Sequence, residues 1–493
     1  MSGNNDTADR PREHCGVIGI WGSPTAALQV HQGLFALQHR GQESAGIVVS
    51  DGQKIRSRKG LGLLSEAIPI EDVAALSGHI AIGHVRYSTT GAKKIQNIQP
   101  LIMEYSRGLI AVAHNGNLVN ARTLRRDCEA RGSIFQTSTD SEIVVHLLAQ
   151  PEHLGEEDPL GHCMSHLKGA YSFVFLTRDA LIAARDPMGF RPLVLGELDG
   201  ATVVASETCA FDLIGAKCVR EIEPGEIVRI SDAGLESRRF IPEHGVMRAH
   251  CIFEHVYFAR PDSSVFGESV HEVRVRMGER LAKDQPADAD VVVAVPDSGN
   301  SHALGYARGS GMPLDRGFIR NHYVGRTFIM PPEESRGGHV ETKLNVVKSV
   351  VCGKRVVVVD DSIIRGTTSR GRIHLLREAG AKEVHLRIAA PPCRHPCYFG
   401  IDFPTSEELV AAGRSVEEIR ELLGVDSLGY QSPEGLLSAV SRPESYCTAC
   451  FTGVYQVQPA EDMDKYSMEP GTRNPAPAGA GAKVKGGEKG QGE

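Results

Sequence analysis

Two kinds of hydrophobic pattern divide the chain, and one gives way to the other near residue 245. From Cys15 to about residue 240, short apolar runs recur between glycine turns: GVIGIW, AGIVVS, HIAIGHV, LIAVAHNGNL and YSFVFLT. Runs of this length bounded by turn residues read as strands. Helix-period segments interrupt them near 24–38 and 139–149. Many strands with few helices between them predict an α+β unit of packed antiparallel sheets.

Beyond residue 245 the apolar runs become continuous and β-branched, as in VVVAV (291–295) and VVVV (356–359). Strands buried on both faces of a parallel sheet have this character. Each run is followed by a turn and a helical pattern, SHALGYAR and SRGRIHLLREAG. The alternation predicts an α/β unit. Residues 406–424 predict a helical hairpin, with Ser415 and Glu418 as a capping box and Gly424 as the stop. The expected organisation is a polar leader (1–14), a first domain (15–245), a second (246–456) and a tail (457–493). The tail is rich in Gly, Ala and Lys and cannot bury a core.

Composition narrows the classes. A chain of 493 residues holds two or three domains. Its 61 acidic and 54 basic residues leave a formal charge of −7, which argues against a broad nucleic-acid interface. A local cation cluster around one phosphate remains compatible with that charge. No stretch reaches the ~18 apolar residues of a membrane span, and residues 1–14 lack the apolar core of a secretory signal. The expectation is a cytoplasmic protein with no membrane contact. Eleven cysteines without an export signal point to catalytic or metal roles rather than disulfides.

Cys15 opens the first strand-like run. If residues 1–14 are removed, its own α-amine, with a reference pKa of about 7.7–8.0, can take the thiol proton. Otherwise Cys15 is a small buried strand residue. Hydrolysis of a glutamine amide would further need an oxyanion hole, which Asn115 and Gly116 can supply. It would need a guanidinium for the α-carboxylate, as at Arg86, and a carboxylate for the α-ammonium, as at Asp140. The plainer alternatives are an Asn-Gly turn, a solvated arginine, and Thr139 or Asp140 as a helix cap.

In the second half a buried strand ends at Asp360 and Asp361. The chain then runs through Ser362, Arg365, Gly366, Thr367 and Thr368 into a helix. Ligands of parallel sheets bind beyond the carboxyl ends of strands. A Gly/Thr loop at a helix start offers N–H and hydroxyl donors to phosphate, and an acidic pair suits a sugar diol and Mg²⁺. Asp297, Ser298 and Gly299 follow the earlier strand and are placed to hold a pyrophosphate. Residues 325–345 read as a lid, from which Arg326 and Lys343 are expected to reach the pyrophosphate. Cys447 and Cys450 form a CxxC pair. With Cys251 and Cys397 they make a four-thiolate site suited to zinc or a [4Fe–4S] cluster. Cys393 is an alternative ligand, and Cys128, Cys163, Cys209, Cys218 and Cys352 read as packing residues.

CGVIGIWG, LQHRGQESAGI, GHVRYSTTG, AHNGNL and TSTDSE, in that order, resemble the glutaminase domain of the N-terminal-nucleophile amidotransferases. The resemblance implies a four-layer αββα fold, loss of the leader and Cys15 as nucleophile. It also implies Asn115 and Gly116 as oxyanion hole and Arg40, Gly41, Arg86 and Asp140 as glutamine contacts. His14 stands where an acidic residue is expected. The string VVVVDDSIIRGTTSRG resembles the phosphoribosyl-pyrophosphate motif of type I phosphoribosyltransferases.

Both halves together, with ARDPMGFRPL, IFEHVYFARPDS, FIRNHYVGRTFI and CTACFTG, resemble the amidophosphoribosyltransferases over residues 15–456. Glu341 and Thr342 replace basic residues expected in the lid. This resemblance implies transfer of glutamine-derived ammonia to phosphoribosyl pyrophosphate, the step that commits carbon to purine synthesis. It implies Mg²⁺ at Ser298, Asp360 and Asp361, and a structural [4Fe–4S] cluster on Cys251, Cys397, Cys447 and Cys450. It further implies a homo-oligomer, a tetramer, inhibited by purine nucleotides. The competing readings are a glutaminase serving another acceptor and a phosphoribosyl-pyrophosphate-sensing regulatory protein.

Overall fold

A computed structural model of the chain describes residues 15–87, 94–154, 156–242, 247–320, 344–401 and 405–458. The first unit contains strands β1 (Gly16–Trp21), β2 (Ser44–Ser50), β3 (Ile55–Leu61), β4 (Ile80–Arg86), β5 (Leu101–Tyr105) and β6 (Gly108–Leu118). It continues with β7 (Gly169–Leu176), β8 (Leu181–Arg185), β9 (Val194–Leu198), β10 (Ala201–Ala205), β11 (Lys217–Glu221), β12 (Glu226–Ser231) and β13 (Gly234–Arg239). They form two antiparallel sheets, in the orders β11-β9-β10-β1-β4-β2-β3 and β13-β12-β8-β7-β6-β5.

Strand alternation explains the layering. In β6, Ala111 and Ala113 face the other sheet and pack with Val17, Val48 and Val174, whereas Ile110 and Val112 face outward. Helices α2 (Ala121–Ala130), α3 (Glu142–Leu148) and α4 (Pro159–His166) lie on that outer side. Helices α1 (Ala26–Ala36) and α5 (Cys209–Ile214) cover the outside of the first sheet through Val30, Leu34 and Phe211. The result is the expected αββα sandwich. The HNGN segment lies inside β6 and is not a turn.

The second unit has a five-stranded parallel sheet. Its strands are β14 (Val291–Ala294), β15 (Leu314–Asp315), β16 (Arg355–Asp360), β17 (Glu383–Ile388) and β18 (Ser427–Tyr430), ordered β15-β14-β16-β17-β18. The unbroken valine runs have a direct cause. Val291, Val293, Val356 and Val358 pack toward α8 (Thr367–Glu378) and α9 (Val416–Leu423). Val292, Val357 and Val359 pack toward α6 (Val270–Asp284) and α7 (Asn300–Ser310).

Residues 406–424 differ from the expected hairpin. Ser406–Glu408 is a single 3-10 turn, and α9 alone follows, with Ser415 and Glu418 closing the capping box and Gly424 ending the helix at φ +71°. Between them Val410 gives its N–H to the Ile364 carbonyl, so that stretch is stitched to the Asp360–Gly366 loop and not wound into a helix.

All eleven cysteines are free. Cys128, Cys163 and Cys209 are buried as expected, but Cys218 and Cys352 are exposed and are not packing residues. The expected boundary near 245 lies within 243–246, outside the described residues. No helix among the described residues is long and apolar enough to cross a membrane.

Candidate active sites

Cys15 is buried immediately before β1, and Asn115 continues the face of Ala111 and Ala113 between the sheets. Ser206, which follows β10, joins the start of β1 to Asn115. Val17 donates its N–H to Ser206 Oγ at 3.0 Å, and Asn115 Nδ2 lies 3.4 Å from the same oxygen. Asn115 is fully buried, and its Oδ1 has no partner among the described residues. A half-turn of this amide lets the Ser206 hydroxyl donate to Oδ1 and frees the NH₂ to meet an oxyanion. Ser206 escaped sequence reasoning because ASET carries no distinguishing pattern.

The Cys15 thiol donates to the Tyr87 carbonyl at 3.7 Å. Burial pushes its pKa up to about 11, against opposing contributions from that hydrogen bond and from Arg86. A thiol so placed is protonated near neutral pH and needs a base. Arg86 and Asp140 both act electrostatically on Cys15, so the structure brings these three sequence-predicted residues together.

Asp140 does not cap α3. Its Oδ2 accepts the Leu118 N–H at 2.9 Å, and its Oδ1 lies 3.3 Å from Ser141 Oγ and 3.5 Å from His114 Nδ1. Burial raises its pKa, but His114 and these donors together hold it below the usual carboxylate range. The group is a fixed anion next to the β6 terminus.

Gly41 lies flat on the end of β4. A Cβ there would stand 2.6 Å from the Val85 carbonyl carbon and 2.7 Å from the Arg86 nitrogen, so only glycine fits. Arg40 turns the other way. Its Nε bonds Glu207, and its two terminal nitrogens bond Glu254. The structure therefore places Arg40 in a buried ion network, beside the glutamine candidates but aimed away from them.

In the second unit β16 delivers Asp360 and Asp361 to the carboxyl edge of the sheet, both 4% exposed. Asp360 Oδ2 is bound by Arg372 of α8 at 2.7 Å, and its Oδ1 accepts the Asp361 N–H at 3.0 Å. Ser362 donates to Asp361 Oδ2 at 2.5 Å. Buried Ile363 and Ile364 pin the loop, and Gly366 at φ +86° turns it into α8, which opens with Thr367 and Thr368. Arg365 pairs with Glu408 at 2.6 Å.

Asp297, Ser298 and Gly299 follow β14 and lead into α7, with Asp297 paired to Arg320 at 2.8 Å. The structure thus gathers both loops at one sheet edge. Arg326 and Lys343 lie outside the described residues, as do Glu341 and Thr342. The ends of that segment pair as a two-stranded ribbon, Phe318–Arg320 with Leu344–Val346. Arg372 carried no sequence signal, since it sits just outside the phosphoribosyl string, and Arg320, though inside FIRNHYVGRTFI, had no role that the string assigns.

A cavity is lined by Cys251, Cys397, Cys447 and Cys450 together with Phe190 and Tyr455. Cys251 and Cys447 are register partners in a short parallel pair. Cys393 is buried but is not on the cavity wall. Burial raises all four thiols, that of Cys251 to about 12, and neighbouring thiols add to it for Cys251, Cys447 and Cys450. Only coordinated metal would ionise them there. Among the described residues no three Cys, His, Asp or Glu sit at the spacing of a single metal ion.

Residues 84–212 match the family model described as a glutamine amidotransferase domain. The amidophosphoribosyltransferase of Bacillus subtilis is 49% identical over 456 residues, covering 91% of this chain and 95% of that protein. The amidophosphoribosyltransferase of Methanocaldococcus jannaschii is 48% identical, covering 90% and 98%. The solved structure of the B. subtilis glutamine phosphoribosylpyrophosphate amidotransferase, complexed with ADP and GMP, superposes with a TM-score of 0.87 at 48% identity, covering 92% of this chain and 100% of that one. At that identity and coverage, the chain belongs to the amidophosphoribosyltransferase family.

Proposed function

We propose that the chain takes ammonia from glutamine at Cys15 and adds it to C1 of phosphoribosyl pyrophosphate, giving phosphoribosylamine, glutamate and pyrophosphate. The observation that carries this reading is one fold holding both halves of the chemistry. Val17, two residues after Cys15, and Asn115 share the Ser206 hydroxyl, and Asp360 and Asp361 stand at the edge of a parallel sheet.

Removal of residues 1–14 frees the Cys15 α-amine, which takes the proton from a thiol otherwise held protonated by burial. Arg86 binds the glutamine α-carboxylate and Asp140 its α-ammonium. The thiolate attacks the amide carbon while Asn115 Nδ2 and the Gly116 N–H receive the developing oxyanion. The amine returns its proton to the departing ammonia, and water releases glutamate from the thioester.

In the domain spanning 246–456, Asp297, Ser298, Gly299, Arg326 and Lys343 grip the pyrophosphate. Ser362, Arg365, Gly366, Thr367 and Thr368 hold the 5-phosphate, and Asp360 and Asp361 orient the ribose. Ser298, Asp360 and Asp361 would hold a magnesium ion, which would supply neutralising charge to the pyrophosphate. The donors form no full protein cage, which fits an ion that arrives with its substrate's phosphates. Cys251, Cys397, Cys447 and Cys450 suit a structural [4Fe–4S] cluster that ties residues 447–450 to the domain. We further assign a cytoplasmic homo-tetramer, and inhibition by purine nucleotides, the last supported by the ADP and GMP complexed with the B. subtilis relative.

Cys15→Ala tests the two-site reading. It is expected to abolish synthesis from glutamine and to leave synthesis from ammonium at the parent rate. Equal loss of both would overturn it.

A further inference from the structure

The strand carrying the oxyanion donors is braced from the second unit. Asn117 shares a face of β6 with Asn115. It donates its side-chain N–H to the Tyr398 carbonyl at 2.9 Å, a contact between residues 281 apart in sequence. The Phe399 carbonyl accepts from Arg191 Nη2 at 3.1 Å, and Arg191 Nη1 in turn binds Glu254 at 3.0 Å. Gly400 completes the turn at φ +107°. A Cβ there would stand 3.1 Å from Arg191 Nη2 and 3.2 Å from the Gly116 carbonyl carbon. Gly400 therefore sits against the backbone of Gly116, while Tyr398 holds Asn117 beside it.

We propose that the Tyr398–Gly400 turn is a positioning element for the oxyanion hole, acting through Asn117 and through backbone contact at Gly116. The inference rests on Asn115 and Gly116 being the oxyanion donors. It makes the glutaminase site complete only when this turn of the second unit is seated. Oxyanion donors act within a few tenths of an ångström, and loss of one costs about 10²–10³ in kcat. A donor strand that merely shifts loses less.

Asn117→Ala decides the matter. Its glutaminase kcat should fall about tenfold or more with the glutamine KM within about twofold, because the interaction strengthens only in the transition state. Alkylation of Cys15 by iodoacetamide forms no oxyanion, so its rate should stay near the parent value, as should synthesis from ammonium. Gly400→Ala should show the same split. A parent-like kcat in Asn117→Ala overturns the proposal. So does a parallel fall in alkylation and ammonium-dependent synthesis, which would mark a general loss of structure. Should Asn117→Ala be insoluble, Asn117→Asp decides by the same measurements, since it keeps the volume and sets a carboxylate against the Tyr398 carbonyl. Asn115→Gly is the control. If it retains full glutaminase activity, the assignment of the oxyanion hole fails, and not the bracing by residues 398–400.

Discussion

Arg40 of the first unit and Glu254 of the second form an ion pair whose side chains are 2% and 0% exposed. Glu207 takes the other side of the same guanidinium and also accepts from His39, Ser263 and the Arg260 N–H. Glu254 is shared with Arg191. Two acids and two arginines thus close a network at the meeting of the units. It neutralises the charges that burial would otherwise penalise.

Breaking that network from one side should be costly. Glu254→Ala leaves Arg191 without its carboxylate and Arg40 with Glu207 alone, at an expected loss of about 3–5 kcal/mol. Calorimetry of the purified protein would show it as a lowered thermal midpoint. A variant as stable as the parent would mean that the network contributes nothing net.

The same network predicts an acid limb. Burial raises the Glu207 carboxyl, but Arg40 and His39 outweigh it and hold the pKa far below the usual range. A carboxylate depressed in the folded state binds fewer protons there than when unfolded. Its stabilisation is therefore complete above about pH 5 and fades as pH falls below that. Glu207→Gln should flatten the decline of thermal midpoint between about pH 5 and 3 while lowering the midpoint at neutral pH. An unchanged acid slope would assign the decline to other carboxylates.

Much of this was legible in the sequence because the period of the apolar residues sets the layers. The valine runs of β14 and β16 needed no structural help. The chemistry proposed for Cys15, Asn115, Asp140 and the Asp360–Gly366 loop sits in local strings that the family resemblance joins into sites. What stayed hidden was long-range. Arg40 reads as a substrate contact until Glu254, 214 residues on, is seen to claim it. Ser206, Arg372 and Tyr398 act through contacts that no local pattern announces. The hairpin expected at 406–424 failed for the same kind of reason, since the Val410 N–H is taken by Ile364.

The cysteine cavity makes a selective claim about iron. Cys397 lines it and Cys393, four residues earlier, does not. Cys397→Ser is expected to lose bound iron and visible absorbance, whereas Cys393→Ser should keep about four irons per chain. Anaerobic purification followed by colorimetric iron analysis separates the two. Iron loss in both variants would make Cys393 part of the ligand set.

The acidic pair should divide its labour. Asp360 is tied to Arg372 at 2.7 Å, with both side chains under a tenth exposed, whereas Asp361 meets a serine hydroxyl. Asp360→Asn removes the charge that Arg372 needs, so it should lower the thermal midpoint as well as activity. Asp361→Asn breaks no such pair, and its thermal midpoint should stay close to the parent. Both variants should lose ammonium-dependent synthesis, on the order of a hundredfold in kcat/KM for phosphoribosyl pyrophosphate if each orients the ribose and its magnesium. Hydrolysis of glutamine at Cys15 should persist in Asp361→Asn. Synthesis at the parent rate in that variant would remove Asp361 from the sugar site, while a matching loss of stability would make it a second structural acid.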